Sequence, residues 1–369
     1  LPVLISLAKD IIPEVRGAAI SVLAQFDEPE VQQVIIEALD YKEASVRAQA
    51  VYALSKRLSE NTKMMDLIVN FLNKEKDDNA RLAALNSLRG ITTPSVKKMV
   101  VDYLKHSDPR MRQLAAISLD AYSDDKDIIK QIAPLLNDSA PLVSSMAAII
   151  LSKHIDHFPR LTDRISRLLR EGDIATQQGI LSGLGQANSL RTIDIIKPYL
   201  EAKNPLIIRQ AAVLSLGQID KPEVVPLLTP MLQDGNWGVR QAAATSLGML
   251  GKQGSLLPLR GLLQDKNSFV RQAAAEAFVN VAGGSTIELS PLLTDETWRV
   301  KLTAAQILGS NVASQPKLVE PFIKLAKDDP HILVRSAATL GLAGVNHPEA
   351  IRVIQKNMQR PDWVLRQSA

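Results

Sequence analysis

The amino-acid sequence predicts an all-α protein, an α-solenoid or superhelix built from about eleven to twelve helix pairs. Three observations predict this class: a phrase that recurs about every 32 residues, apolar residues at helical spacing, and no alternating strand pattern. The clearest copy of the phrase, N-W-G-V-R-Q-A-A-A-T-S-L-G, occupies residues 236–248. Because each repeat of a solenoid contacts only its neighbours, we expect one continuous array over residues 1–369.

Most copies of the phrase have a basic residue near the start of a helix, and the example above has Arg240 beside Val239. The other members of this series are Arg16, Arg47, Arg81, Arg112, Arg209, Arg271, Lys301, Arg335 and Arg366. We call this position the marker, the helix that carries it the marker helix, and the helix that follows it the second helix. Ser144 and Gln177 occupy two successive marker positions without a positive charge. Their presence predicts either a local change in twist or simple packing of neutral side chains.

Start and stop signals place both helices of each repeat. An Asp or Asn followed by Pro, as at Asp108-Pro109, can cap the start of a marker helix, which then buries small residues such as Ala242 and Ala243. The second helices are more aliphatic. Prolines fall inside several of them and predict kinks or late helix starts, at Pro134, Pro198 and Pro230.

The phrases D-P-R-M-R-Q-L-A-A-I-S-L and N-S-F-V-R-Q-A-A-A-E-A-F resemble HEAT repeats, most closely the short HEAT-like repeat named after phycobilisome lyases. The resemblance covers essentially the whole chain. It implies an armadillo-like helical solenoid in which the marker Arg bonds loop groups of the neighbouring repeat. It also implies that the second helices line a concave, partner-binding face. Function does not follow from this fold, because the repeat occurs in many unrelated proteins.

Composition excludes several classes of function. The chain has no cysteine, so disulfides, thiolate catalysis and cysteine-ligated zinc are excluded. A net charge of +4 is mild for 369 residues and does not indicate a nucleic-acid binder. No apolar run is long enough to insert in a membrane, and we expect a cytoplasmic location. The chain begins and stops within predicted helices, so we expect a piece of a longer array or larger protein.

The sequence contains no recognisable constellation of catalytic, cofactor-binding or metal-binding residues, and we predict none. His154 and His157 are spaced for one helical face, but Pro159 breaks that helix directly afterwards. The His-Glu pairs of HEAT-repeat di-iron hydroxylases do not occur. All three tryptophans precede a marker by three residues, where we expect each to cover apolar surface between repeats; a stacking surface for a ligand is the alternative.

The predicted function is a non-enzymatic scaffold or adaptor that binds a protein partner. The alternatives are a phycobilin lyase-type subunit or other HEAT-repeat enzyme, and a nucleic-acid-binding protein. Basic residues at similar distances after the marker predict a positive row on the second helices of repeats three to six, which would attract an acidic protein segment. Its members are Lys97, Lys130, Arg160, Arg164, Arg167 and Lys197. The oligomeric state is left open.

Overall fold

A computed structural model describes residues 1–56, 62–122, 125–156, 158–251, 255–283 and 286–369. All regular structure in these ranges is helical, as the periodicity predicts. The chain forms two compact units. Unit 1 comprises Leu1–His154 with Phe158–Gly172, and unit 2 comprises Asp173–Ala369 with Ile155–His157. The expected continuity of one array across both units stays a prediction.

Unit 1 alternates second helices and marker helices, with the marker on the even-numbered members. Its helices are α1 (Pro2–Leu7), α2 (Pro13–Leu23), α3 (Pro29–Glu37), α4 (Ala44–Ser55), α5 (Thr62–Lys74), α6 (Asp78–Ser87), α7 (Pro94–Tyr103), α8 (Pro109–Leu119), α9 (Lys126–Ile132), α10 (Pro141–Ser152) and α11 (Thr162–Glu171). The core of this unit is aliphatic and lies between the two layers of helices.

Unit 2 repeats the same alternation, with marker helices α12, α14, α16, α18, α19, α21 and α23. Its helices are α12 (Ile174–Gln186), α13 (Leu190–Ile196), α14 (Leu206–Gly217), α15 (Val225–Leu228), α16 (Trp237–Leu250), α17 (Leu256–Leu262), α18 (Ser268–Ala282), α19 (Trp298–Gly309), α20 (Pro316–Asp328), α21 (Ile332–Gly341), α22 (Pro348–Met358) and α23 (Trp363–Ser368). Between α18 and α19 the second helix is a 3₁₀ segment, Ile287–Thr294.

The prolines of the second helices mark the points where α-helix gives way to the tighter 3₁₀ form. Pro134, Pro198 and Pro230 each lie at the second position of a 3₁₀ segment that follows a short α-helix. Proline removes one backbone donor and clashes with the preceding turn, so the α-helical hydrogen-bond pattern stops there. The second helices are irregular at these prolines, as expected, but the irregularity is a change to 3₁₀ helix and not a kink or a late helix start.

Marker helices of unit 2 pack directly on one another through small residues. Ala243 and Ala274 are fully buried, as expected for the junction between repeats. A Cβ atom on Gly217 of α14 would lie 2.5 Å from the Cβ of Ser246 on α16, and one on Gly248 would lie 2.6 Å from the Cβ of Ala277 on α18. Since real side chains do not approach so closely, glycine sets the spacing of these helices.

Candidate partner-binding surface

In the described part of the chain, seven of the ten basic marker residues form ion pairs with the next repeat, and together these pairs make a ladder. Arg240 donates from Nε and Nη2 to the two carboxylate oxygens of Asp265 at 2.7 and 2.8 Å. Its Nη1 donates to the carbonyl oxygens of Asp234 and Gly235, in the loop before its own helix. Arg240 thereby joins two consecutive loops, which confirms the implied bond to the neighbouring repeat. This network occupies its hydrogen-bonding groups, so the marker residues are structural.

The same pairing recurs in both units. The pairs are Arg16–Glu43, Arg47–Glu75, Arg112–Asp138, Arg209–Asp234, Arg271–Asp295 and Lys301–Asp329. The hydrogen bonds from Arg47 hold the pKa of Glu75 at about 2, helped by the backbone N–H groups of Asp77 and Lys76.

The two neutral marker positions, Ser144 and Gln177, lie on α10 and α12, on either side of the division between the units.

The predicted basic row lies on second helices and on the 3₁₀ segments beside them, and three of its five members in unit 1 already have a partner within the protein. Lys97 on α7 forms an ion pair with Asp125, and Lys130 on α9 pairs with Asp127 at 2.9 Å. Arg164 on α11 donates from Nε to the carbonyl oxygen of Leu136 at 3.0 Å. A paired or anchored cation offers less charge to a partner than a free one.

Three members of the row remain as exposed cations. Arg160 lies in the 3₁₀ segment Pro159–Leu161, and Arg167 lies on α11 of unit 1. Neither has an ion-pair or hydrogen-bond partner within the described ranges. Lys197 is also exposed, but it belongs to unit 2 and begins the segment Lys197–Leu200. The structure therefore brings Arg160, Arg164 and Arg167 onto one short stretch of unit 1.

Residues suited to metal binding do not cluster. In the part of the chain that the structure describes, no three His, Asp or Glu side chains are grouped so that they could hold an ion. His157, the second member of the predicted histidine pair, lies outside the described residues. None of the described helices is long and apolar enough to cross a bilayer.

The marker helices of unit 2 present a surface that the sequence reasoning missed. A groove of about 570 Å³ runs across α12, α14 and α16. We call it the neutral groove, and its lining includes Gln178, Ile207, Gln210, Leu214, Gln241 and Thr245. All described residues that line it are uncharged, and they include small residues such as Ala211 and Ala242.

Charge is distributed unequally between the two layers of unit 2. Apart from the marker residues, Glu276 and Arg299 are the charged residues of helices α12 to α21 in the marker layer. By contrast, the charged residues of a single second helix, α20, include Lys317, Glu320 and Lys324. A second uncharged groove, about 590 Å³, lies between α19 and α21. An exposed helical face normally carries charged residues, so this neutral layer differs from an ordinary solvated surface.

Aromatic side chains form a row across the starts of four marker helices. Trp237 stacks on Phe269 with ring centroids 5.5 Å apart, and Trp298 stacks on His331 at 3.8 Å. The guanidinium of Arg299 lies between these pairs, 6.0 Å from the Phe269 centroid and 5.0 Å from the Trp298 centroid. These contacts confirm that the two tryptophans cover surface between repeats. Trp237 and Phe269 nevertheless keep 43% of their surfaces exposed.

Comparison with protein families identifies the repeat. The family model for HEAT repeats matches residues 1–89, 65–152, 161–238, 207–278 and 288–369. The match is to HEAT repeats in general and does not single out the phycobilisome-lyase type. No curated protein matches the sequence.

Solved structures share the fold at low sequence identity. Importin beta in an ammonium sulfate condition is 13% identical with a TM-score of 0.53, over 97% of this chain and 56% of that one. Kap121p bound to Pho4p is 13% identical with a TM-score of 0.50, over 99% of this chain and 48% of that one. The chain spans about half the length of the karyopherin structures it matches. Likeness at this identity shows the solenoid fold alone.

Proposed function

The chain belongs to the family of HEAT-repeat proteins, and we propose that it is a scaffold that binds a protein partner on the marker-helix layer of unit 2. The observation that carries this proposal is the neutral groove, which is exposed, partly apolar and uncharged. Surfaces of this kind on a soluble fold are typical of interaction sites. Kap121p, which has a similar fold, has been crystallised with the protein Pho4p.

The packing of unit 2 also supports a binding site on the marker-helix layer. Glycines at 217 and 248 bring successive marker helices closer together than helices with larger contact residues can come. Successive second helices of unit 2 contact one another much less than successive marker helices do, so the marker layer is the more closely spaced one and lies on the inner side where the stack bends. We therefore assign the inner side of unit 2 to the marker helices, whereas the resemblance implied the second helices.

Charge substitution distinguishes the two layers. Ile207→Glu with Leu214→Glu puts two carboxylates into the neutral groove, at side chains that are 41% and 42% exposed, so folding is expected to survive. The matched control is Leu190→Glu with Leu257→Glu, at exposed apolar positions of second helices. In quantitative pull-downs, the groove variant should lose proteins that the wild type and the control retain. Retention of every such protein by the groove variant contradicts the proposal.

A second candidate surface is the positive stretch of unit 1, which would bind an acidic protein segment. The observation that favours it is the exposure of Arg160 and Arg167 without partners in the described ranges. Guanidinium groups recognise carboxylates through paired hydrogen bonds. Changing Arg160, Arg164 and Arg167 together to Glu should remove such a partner, with circular dichroism as the check on folding. If only this variant loses a partner, unit 1 is the binding surface.

A further inference from the structure

Three glutamines recur at one position of successive repeats in the neutral groove. Gln178, Gln210 and Gln241 each follow the marker position by one residue, on α12, α14 and α16. Their side-chain amides form no hydrogen bond with other described residues. In the next repeat Gln272 breaks the series, because its Nε2 donates to Glu276 at 3.0 Å. The groove therefore holds a row of three amides, one per repeat.

The fold keeps this row open. Gly238 is the second residue of α16, and a Cβ atom on it would lie 2.2 Å from Nε2 of Gln210. The glycine thus leaves the space that the Gln210 amide occupies above the neighbouring helix. Alanine and serine side chains line the groove beside the glutamines, and their small size leaves room for a backbone to approach the row.

The distance between successive glutamines of the row favours one backbone conformation for a bound segment. Packed helices are about 8–10 Å apart, and the glycine contacts between these marker helices favour the lower end of that range. A polyproline II helix has three residues per turn and a rise of about 3.1 Å, so equivalent carbonyls on one side recur every ~9 Å. A β-strand repeats on one side after two residues, about 6.6 Å, which does not match.

The chemistry of the groove agrees with this choice. Proline-rich segments expose carbonyl acceptors and lack backbone donors, whereas a glutamine amide supplies two donors. A charged segment would lose hydration in the groove without gaining a counter-charge there. Ile207 and Leu214 line the groove, and the exposed faces of Trp237 and Phe269 lie at the starts of α16 and α18. Apolar and aromatic surfaces of this kind pack against proline rings.

We propose that the neutral groove binds a proline-rich segment of a partner protein in the polyproline II conformation, with its carbonyls accepting hydrogen bonds from Gln178, Gln210 and Gln241. This inference rests on the proposed protein-binding function and specifies its partner. The segment is uncharged over about three turns, one turn for each marker helix. Because such a segment is extended before it binds, little conformational entropy is lost on docking.

The test uses a blocked nonaproline peptide, with calorimetry and tryptophan fluorescence as readouts on the whole chain. Nonaproline should bind at least about tenfold more tightly than blocked nine-residue Gly/Ser and Glu-rich peptides. Each single Gln→Ala change in the row should weaken nonaproline binding about fivefold, the usual effect of one hydrogen bond. The triple variant should abolish binding without altering the circular dichroism spectrum.

Gln113→Ala is the matched control, since Gln113 follows the marker Arg112 by one residue on α8 of unit 1. It should leave nonaproline binding unchanged. Equal affinity for the three peptides, or a triple variant that binds like the wild type, overturns the inference. If nonaproline fails while the Ile207→Glu, Leu214→Glu variant still loses a partner, the scaffold function stands and this occupant is wrong.

Discussion

At the scale of single residues, the ladder explains why one basic position recurs along the chain. Arg240 and Asp265 are nearly buried. They form an ion pair with each other, and each also makes hydrogen bonds with nearby backbone groups. Removing one member of such a pair leaves a buried charge without a counter-charge, which costs more than the pair contributes. The marker therefore stabilises the packing between repeats where it is paired, and its recurrence in the sequence reports the fold and not a binding site.

Arg240→Ala should lower the free energy of unfolding by about 3 kcal/mol, because Asp265 loses its partner. Arg240→Lys should cost less, since Lys301 fills the same position and pairs with Asp329 in this chain. Urea denaturation followed by circular dichroism measures both values. A change below about 0.5 kcal/mol in the alanine variant, the range of neutral surface changes, would show that the ladder is dispensable.

Glu75 makes the stability of unit 1 depend on pH. Its pKa is lowered from 4.5 to about 2, first by the hydrogen bonds from Arg47. A lowered carboxyl pKa contributes stability that is complete above the ordinary pKa and is lost as the pH falls toward the folded value. The contribution is about 3 kcal/mol at neutral pH and disappears between about pH 5 and pH 2.

Glu75→Gln should therefore be less stable than the wild type at pH 7, and the difference should shrink as the pH falls toward 2. Urea titrations at several pH values measure this difference. A stability difference that is independent of pH would contradict the assignment. Because only the difference between the two proteins is used, other carboxylates that titrate in the same range cancel.

At the scale of helices, most of the fold was predictable because its signals are local. The marker phrase, the small residues of the marker helices and the prolines of the second helices all act within a few residues. The candidate binding surface was less predictable because it depends on contacts between repeats. Lys97, for example, is not a free cation, because it forms an ion pair with Asp125, which is 28 residues away in the sequence. The glutamine row was visible in the sequence, but its significance required the direct packing of α12, α14 and α16.

The close packing of the marker helices through glycine gives a prediction at the scale of helices. Gly217→Ala should force α14 and α16 apart and cost about 1–3 kcal/mol, since its Cβ would meet the Cβ and Cα of Ser246. Gly261→Ala on α17 is the control, because no atom lies within 4 Å of the added carbon. Alanine is the better helix former, so the control should gain about 0.5–1 kcal/mol. Thermal and urea midpoints measure the stability changes of both variants. Changes of the same sign in the two variants would contradict the direct packing of α14 on α16.

At the scale of the whole chain, two compact units share one repeat type. Stability in a solenoid is a sum of repeat and nearest-neighbour terms, so a local change is felt mainly nearby. The tryptophans Trp237, Trp298 and Trp363 all lie in unit 2, which makes their fluorescence a reporter of that unit.

Arg112→Ala, in unit 1, should lower the urea midpoint seen by circular dichroism and leave the midpoint seen by tryptophan fluorescence unchanged. Arg112 holds Asp138 through two hydrogen bonds of 2.7 Å, so its loss weakens unit 1. Arg240→Ala, by contrast, should shift the fluorescence midpoint. Equal shifts of both signals in the Arg112 variant would mean that the two units unfold as one.

The central claim is that a protein partner docks on the marker-helix layer of unit 2, and site-directed photo-crosslinking tests it most directly. A benzophenone amino acid replaces Leu214 in the neutral groove, Leu257 on the second helix α17, or Arg167 in unit 1, all at exposed side chains. Irradiation of cells that express each variant should yield an adduct with a second protein at position 214 and none at 257 or 167. Adducts at 257 or 167 with none at 214 would contradict the account.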